Sequence, residues 1–267
     1  MMSSADNEQK IILSNGKDPQ SILARFLRII PTTEATTMNG NVFRSAVRRM
    51  VGQHHFGDDI ICTLCKNNNG NRAGHLYTCP KICKIPRHDD VLHRLYHALR
   101  KIGPAVKEHK TYAGINGEAK HDRRVDIQAD IDDKREVHFI DVSFTSEMSE
   151  ACIKAAQRNM AKPHTFTMDQ RYKEKLRKYA EDAKRKSEMY DRKFVVKPIV
   201  LSSGGAIQAE SFKTLTEYAK IAKSKYNDPR WLGDLLDSLS FGFHRKTYCM
   251  EQDGLYQRKE RALRDFR

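Results

Sequence analysis

The tightest constraint on this chain lies between residues 123 and 144, where RRVDIQADI and VHFIDVSF flank the acidic–basic segment DDKRE. Both runs alternate apolar and polar side chains with the period of two that a half-buried strand requires. The short polar segment between them can reverse the chain, so the pair reads as an antiparallel hairpin. Centring the turn on Asp133 and Lys134 sets 131 opposite 136, 129 opposite 138, 127 opposite 140 and 125 opposite 142. A two-residue and a four-residue loop give the same register, so the facing pairs do not depend on the turn type. One face then carries Val125, Val142, Ile127, Ile140, Ala129 and His138, and the other sets Asp126 directly across from Asp141.

Directly opposed residues hold their Cβ atoms about 4.5–5.5 Å apart, and two carboxylates at that range repel unless a proton or a cation lies between them. A divalent cation such as Mg²⁺, which takes carboxylates, water and phosphate oxygens, resolves the conflict. The competing reading is a solvated sheet face, with Gln128 and Asp130 as ordinary polar neighbours. Val137 and Phe139, on the face of Asp141, count against full solvation there.

A second constellation precedes the hairpin. Cys62-x2-Cys65 is followed after nine residues by His75 and then by Cys79. Three thiolates and an imidazole in two close pairs suit tetrahedral Zn²⁺, and the polar loop KNNNGNRAG between them asks for no core. In so small a segment the metal would supply the folding free energy. Against this stand four unrelated buried thiols with a surface histidine. Within the zinc reading, Cys83 competes with His75 as fourth ligand. The site is closed and structural, leaving Lys66, Arg72 and Lys81 to meet phosphate.

Charge narrows the partners. The 267 residues carry a formal +14, a field that attracts polyanions. Nucleic acid ranks first and anionic membrane second, because no apolar run approaches the roughly 20 residues of a spanning helix. The opening MMSSADNEQKIILSNGKD lacks the order of a secretory signal, and the clustered cysteines point to metal in a reducing, intracellular compartment.

Around these motifs the chain divides into a helical and linker segment (1–52), the zinc module (53–86), a core (87–244) and a basic tail (245–267). Residues 1–19 are polar and read as loose. A helix is expected after Asp18-Pro19, then a linker, a short helix ending near Gly52, and a helix over DDVLHRLYHALRKIG that Gly103-Pro104 stops. Helical, basic sequence runs from about 147 to 190 with a break at Pro163. FVVKPIVLSS at 194–203 is a third strand, and helices follow over 208–224 and 228–242, with Trp231, Leu232, Leu235 and Leu236 as core. The fold class is α/β (α+β), a small mixed sheet covered by helices. The tract 171–193 is basic on more than one face. It suits phosphate contacts that position a duplex without reading its sequence, or a merely soluble helix with pairs such as Glu174–Lys178.

Taken in order, Cys62, Cys65, His75 and Cys79, then Arg87-His88-Asp89, then Arg124-x-Asp126 with fourteen residues to Asp141, then Lys175-x-x-Lys178-Tyr179 and KPIVLSSGG make a pattern. From about residue 41 to 242 it resembles the restriction-like endonuclease domain that follows the reverse transcriptase in early-branching non-LTR retrotransposon polyproteins. The resemblance implies a PD-(D/E)XK nuclease core in which Asp126 and Asp141, with Glu108 as an acidic residue on the first helix, bind catalytic Mg²⁺ or Mn²⁺. It implies nicking of double-stranded DNA in the nucleus to expose a 3′-hydroxyl for reverse transcription, with element RNA and the reverse transcriptase as further partners. Arg87, His88, Arg123, Arg124, Lys173 and Arg177 would contact nucleic acid.

Two positions depart from the family pattern: Val125 replaces a proline, and Ser143 stands where a lysine usually follows the second acid. In this group the lysine commonly comes from the downstream helix, which implies Lys175 or Lys178 with Tyr179; Lys154 and Lys162 are rivals. A zinc-containing module of the same fold that docks DNA or RNA without cutting is the alternative, and an interaction scaffold without nucleic acid a third.

Overall fold

The computed structural model describes residues 4–18, 20–29, 37–51, 64–65, 79, 81–82, 84–103, 105–112, 123–132, 136–147, 149–158, 160 and 162–265. Four strands, β1 (Ala105–Tyr112), β2 (Arg123–Asp132), β3 (Glu136–Thr145) and β4 (Lys193–Ser202), form one sheet in the order β1-β2-β3-β4. The first three run antiparallel in sequence, and β4 lies parallel to β3. A parallel neighbour needs a crossover, supplied here by α4 (Glu150–Gln157), a 3₁₀ turn at Pro163–Thr165 and the long α5 (Phe166–Tyr190).

Helices cover both faces of the sheet. On one face, α3 (Ile85–Arg100), α6 (Ala209–Tyr226) and α7 (Trp231–Asp265) close the main core. There Leu92, Leu95 and Leu99 meet Ile127, Ile140, Val142, Ile199, Leu215 and Trp231. On the other face α5 lays Tyr179 and Ala183 against Val125, Val137 and Phe139. Strand β3 is buried over most of its length and carries apolar residues on both sides, as a strand with helices on both faces does; His138, Asp141 and Ser143 are its buried polar residues.

The expected register holds at its centre, with Ile127 opposite Ile140 and Ala129 opposite His138. It shifts between Ala129 and Asp132, so that Asp132, and not Ile131, faces Glu136. The expected faces also fail at one residue. Val125 does not share the side of Ile127 but packs with Phe139 and Tyr179 under α5. Just there the Asp126 carboxylate accepts the Val142 N–H at 2.7 Å, a side chain serving as main-chain acceptor where alternation would otherwise continue.

Four elements differ from the sequence expectation. The amino-terminal stretch read as loose is a helix, α1 (Ser4–Lys17), while the helix expected after Asp18-Pro19 is one 3₁₀ turn at Arg25–Arg28. A helix as short as α1 is marginal alone; Ile11 stabilises it by packing on Cys152, Ile153 and Ala156 of α4. Strand β1 has no counterpart in the sequence expectation, because AVKEHKTY has almost no apolar alternation; it is an edge strand, where charge is the usual guard against further pairing. Finally, the tail from residue 245 continues α7. Its inward side includes His244, Thr247 and Glu251, polar residues that blur the apolar period. Glu251 pairs with Arg49 of α2 (Gly40–Met50) at 2.5 Å.

Candidate functional site

Asp141 stands midway along β3, 3% exposed, on the face that α5 covers. Lys175 and Tyr179 are four residues apart on α5, so they occupy one side of the helix, and both reach this carboxylate. The Tyr179 hydroxyl donates to Oδ1 at 2.7 Å. Lys175 Nζ donates to Oδ1 at 3.0 Å and stands 2.9 Å from Oδ2. Ser143 Oγ, two residues along the same strand and hence on the same face, donates to Oδ2 at 2.8 Å. Lys178 approaches from outside, its Nζ donating to the Tyr179 hydroxyl at 2.9 Å and sitting 4.7 Å from the ring centroid.

A buried lysine and a buried carboxylate persist only when desolvation is offset by good geometry and further hydrogen bonds, and Asp141 receives three different donors. Burial, reinforced by the charges of Asp141 and Asp126, pushes the Tyr179 phenol upward, so it remains a proton-bearing donor. Burial and the neighbouring Lys175 lower Lys178.

Asp126 is one step along the register from the Ile127–Ile140 pair and is held by different groups. Its Oδ2 accepts the Val142 N–H and lies 3.6 Å from His88 Nε2. The two ring nitrogens of His88 face acceptors, Nδ1 toward Asp89 at 3.0 Å and Nε2 toward the Val142 carbonyl at 3.1 Å. Each must carry a proton, which makes the ring an imidazolium. The Asp126 carboxylate first, with Asp89 and the Val142 carbonyl adding, outweighs burial and raises the His88 pKa to about 9. Asp126 stays 17% exposed, and no hydrogen bond from a described residue goes to its Oδ1. Two carboxylates whose fields both reach Tyr179 and Lys178, one with an uncommitted oxygen, are the hard donors that Mg²⁺ or Mn²⁺ prefers. Among the described residues no group of three or more His, Cys, Asp or Glu side chains gathers for a metal.

The other sequence expectations fall out unevenly. Glu108 is on strand β1 opposite Ile127, not on a helix, and its side chain lies outside the described residues, as do those of Arg123 and Arg124 on β2. Arg87 is not a surface cation: it is 2% exposed, its guanidinium 4.7 Å from the Phe144 ring and 5.6 Å from Phe243. Lys173 and Arg177 point outward from α5. The rivals are engaged elsewhere, Lys154 with Glu150 at 2.7 Å and Lys162 with Asp18 at 3.0 Å. Glu174 pairs with Arg171, not Lys178. Of the expected zinc ligands, Cys65 and Cys79 join one small cluster with Leu64, Ile82 and Met250, whereas Cys62 and His75, and the alternative Cys83, lie outside the described residues.

The bond from Ser143 to Asp141 is absent from the sequence expectation, although the i+2 spacing on a strand is a signal for it. The contact of His88 with Asp126 spans 38 residues, and no spacing in the sequence signals it.

The fold and this cluster define the class: a mixed α/β protein with a small four-stranded sheet flanked by helices, and an acid–lysine–tyrosine constellation buried against its central strand. Compared with protein-family models and with curated proteins, the chain matches none. No helix among the described residues is long and apolar enough to cross a membrane.

Proposed function

We propose that the chain is a divalent-metal-dependent endonuclease of the PD-(D/E)XK type that nicks double-stranded DNA, acting for a non-LTR retrotransposon in the nucleus. In this reading the exposed 3′-hydroxyl primes reverse transcription, with element RNA and a reverse transcriptase as partners, and Cys62, Cys65, His75 and Cys79 hold a structural Zn²⁺. The observation that carries it is the convergence of Lys175 and Tyr179 on Asp141, which supplies from α5 the cation that Ser143 cannot supply from β3.

Asp126 and Asp141 would hold a Mg²⁺ or Mn²⁺ ion, which would supply polarisation of the scissile phosphate and lower the pKa of the attacking water. Lys175, already beside Asp141, stabilises negative charge on the attacking oxygen. Tyr179 keeps its proton and orients the Asp141 carboxylate through Oδ1. Lys178, anchored on the phenol, offsets charge that develops on the phosphate. His88 holds Asp126 in place from the α3 side, and the outward cations Lys173 and Arg177 contact the duplex backbone.

The test is relaxation of supercoiled plasmid in Mg²⁺ or Mn²⁺. Asp126→Asn and Asp141→Asn are expected to abolish nicking, and Lys175→Met to slow it by about a hundredfold or more, the scale of losing one electrostatic donor. Equal nicking by wild type and both aspartate variants would sink the reading. The second reading, a docking module that does not cut, draws on Lys175 already occupying the Asp141 oxygens; retardation of DNA without nicking by the wild type would favour it.

A further inference from the structure

Where β3 leaves the sheet, its end faces the first turn of α3 across a cavity of about 350 Å³. Thr145, Ser146 and Ser203 line one part of it and Lys84, Arg87 and His88 another. The hydroxyl oxygens of all three of the former are buried and, among the described residues, have no hydrogen-bond partner. Ser203 is itself only 3% exposed. Interior hydroxyls are normally paired, so three such groups on one cavity form a donor set suited to an acceptor that enters from outside.

The charges around it agree on the sign of that acceptor. Lys84 and Arg87 lie close enough to repel one another, and among the described residues no carboxylate lines the cavity. Glu147, which attracts Arg87, turns its Oε2 to Asn15 and Ser202 instead. The first turn of α3, a 16-residue helix, carries no acidic residue, so the positive end of its dipole adds to the field. The volume exceeds the needs of a lone oxyanion and lies in the range of small-ligand pockets. His88 belongs both to this wall and to the Asp126 contact, so the cavity adjoins the acidic site.

We propose that the cavity is a phosphate-binding pocket that seats a phosphate of the nucleic-acid strand entering the Asp126–Asp141 site, through the hydroxyls of Thr145, Ser146 and Ser203 and the side chains of Lys84, Arg87 and His88. The identity of the ligand rests on the endonuclease reading; the location of the pocket does not.

The test is fluorescence-anisotropy titration of the full chain with a labelled oligothymidylate in buffer without added Mg²⁺ or Mn²⁺, where no cleavage is expected, with dTMP and inorganic phosphate as competitors. Thr145→Val combined with Ser203→Ala, and separately Lys84→Gln, are expected to weaken strand binding by about fivefold or more. Lys84→Gln should also flatten the log–log salt dependence by about 0.7, one phosphate contact on a single strand. Lys84 is partly exposed, so its variant decides the matter alone if the double variant does not fold. Unchanged affinity and slope in folded variants would overturn the pocket. Competition by dTMP or phosphate at the affinity of the strand, lost in the same variants, would overturn the assignment to a strand. Pocket-dependent binding by a protein that never nicks plasmid supports the pocket while removing the endonuclease.

Discussion

Six residues beyond Asp141, the side chain of Glu147 is enclosed, with Asn15 Nδ2 donating to its Oε2 at 2.6 Å and Ser202 Oγ at 2.9 Å. Burial raises its pKa to about 7, against the lowering effects of Ser202, Asn15, Arg87 and the Gly204 amide. Because the folded value lies above the unfolded 4.5, the folded state binds this proton more tightly. Its stabilising contribution is complete below pH about 4.5 and is lost as pH rises through about 7. The window corresponds to about 3 kcal/mol. Denaturant unfolding of the wild type and Glu147→Gln between pH 5 and 8 isolates this contribution: the stability of the wild type relative to the variant should fall as pH rises, and a difference independent of pH would contradict the assignment. The packing leaves little room for adjustment, since a Cβ on Gly204 would meet Glu147 Oε1 at 1.8 Å.

At the scale of elements, helix α5 does two jobs with one side. Met168, Lys175, Tyr179, Asp182 and Ala183 all face inward, so the residues that pack on β3 and those that bond to Asp141 are interleaved. Displacing the helix by a turn would break both sets. Helix α7 joins α2 through a polar contact: Arg49 Nη1 pairs with Glu251, Arg49 Nη2 donates to His244 Nδ1 at 2.9 Å, and His244 Nε2 donates to the Leu23 carbonyl. Burial, then the Arg49 charge, keeps His244 well below its ordinary value, which makes it the neutral ring this pattern requires. The Arg49 and Glu251 side chains are 8% and 2% exposed. Arg49→Met should therefore cost about 3–5 kcal/mol, because it strands a buried carboxylate, while Arg49→Met with Glu251→Leu should recover most of that. Thermal melts of the single and double variants check it, and equal loss in both would refute the account.

Taken whole, the molecule carries its excess of positive charge partly on the outward side of α5, where Lys173 and Arg177 are exposed while Lys175 and Tyr179 of the same helix point in. Duplex binding should therefore weaken steeply with salt. Lys173→Ala and Arg177→Ala should each reduce the log–log slope by about 0.9 without altering preference among sequences. Titrations at several salt concentrations on unrelated duplexes would show this, and slopes matching the wild type would remove α5 from the interface.

What the sequence alone determined is local. The period of two and the short polar turn set the centre of the hairpin register, because a one-residue slip would turn every apolar side chain to the wrong face. The i,i+4 spacing of Lys175 and Tyr179 put them on one side of α5 whatever that helix packs against. Tertiary structure decided what depends on distant partners. Polar α1 is a helix because Ile11 finds α4, and charged β1 is a strand because β2 offers it an edge. Arg87 is interior because Phe144 and Phe243 enclose it. The Asp126 carboxylate turns toward Val142 and His88, and Val125 joins the α5 face. Such outcomes turn on desolvation and side-chain hydrogen bonds between segments far apart in the chain, and no local spacing encodes them.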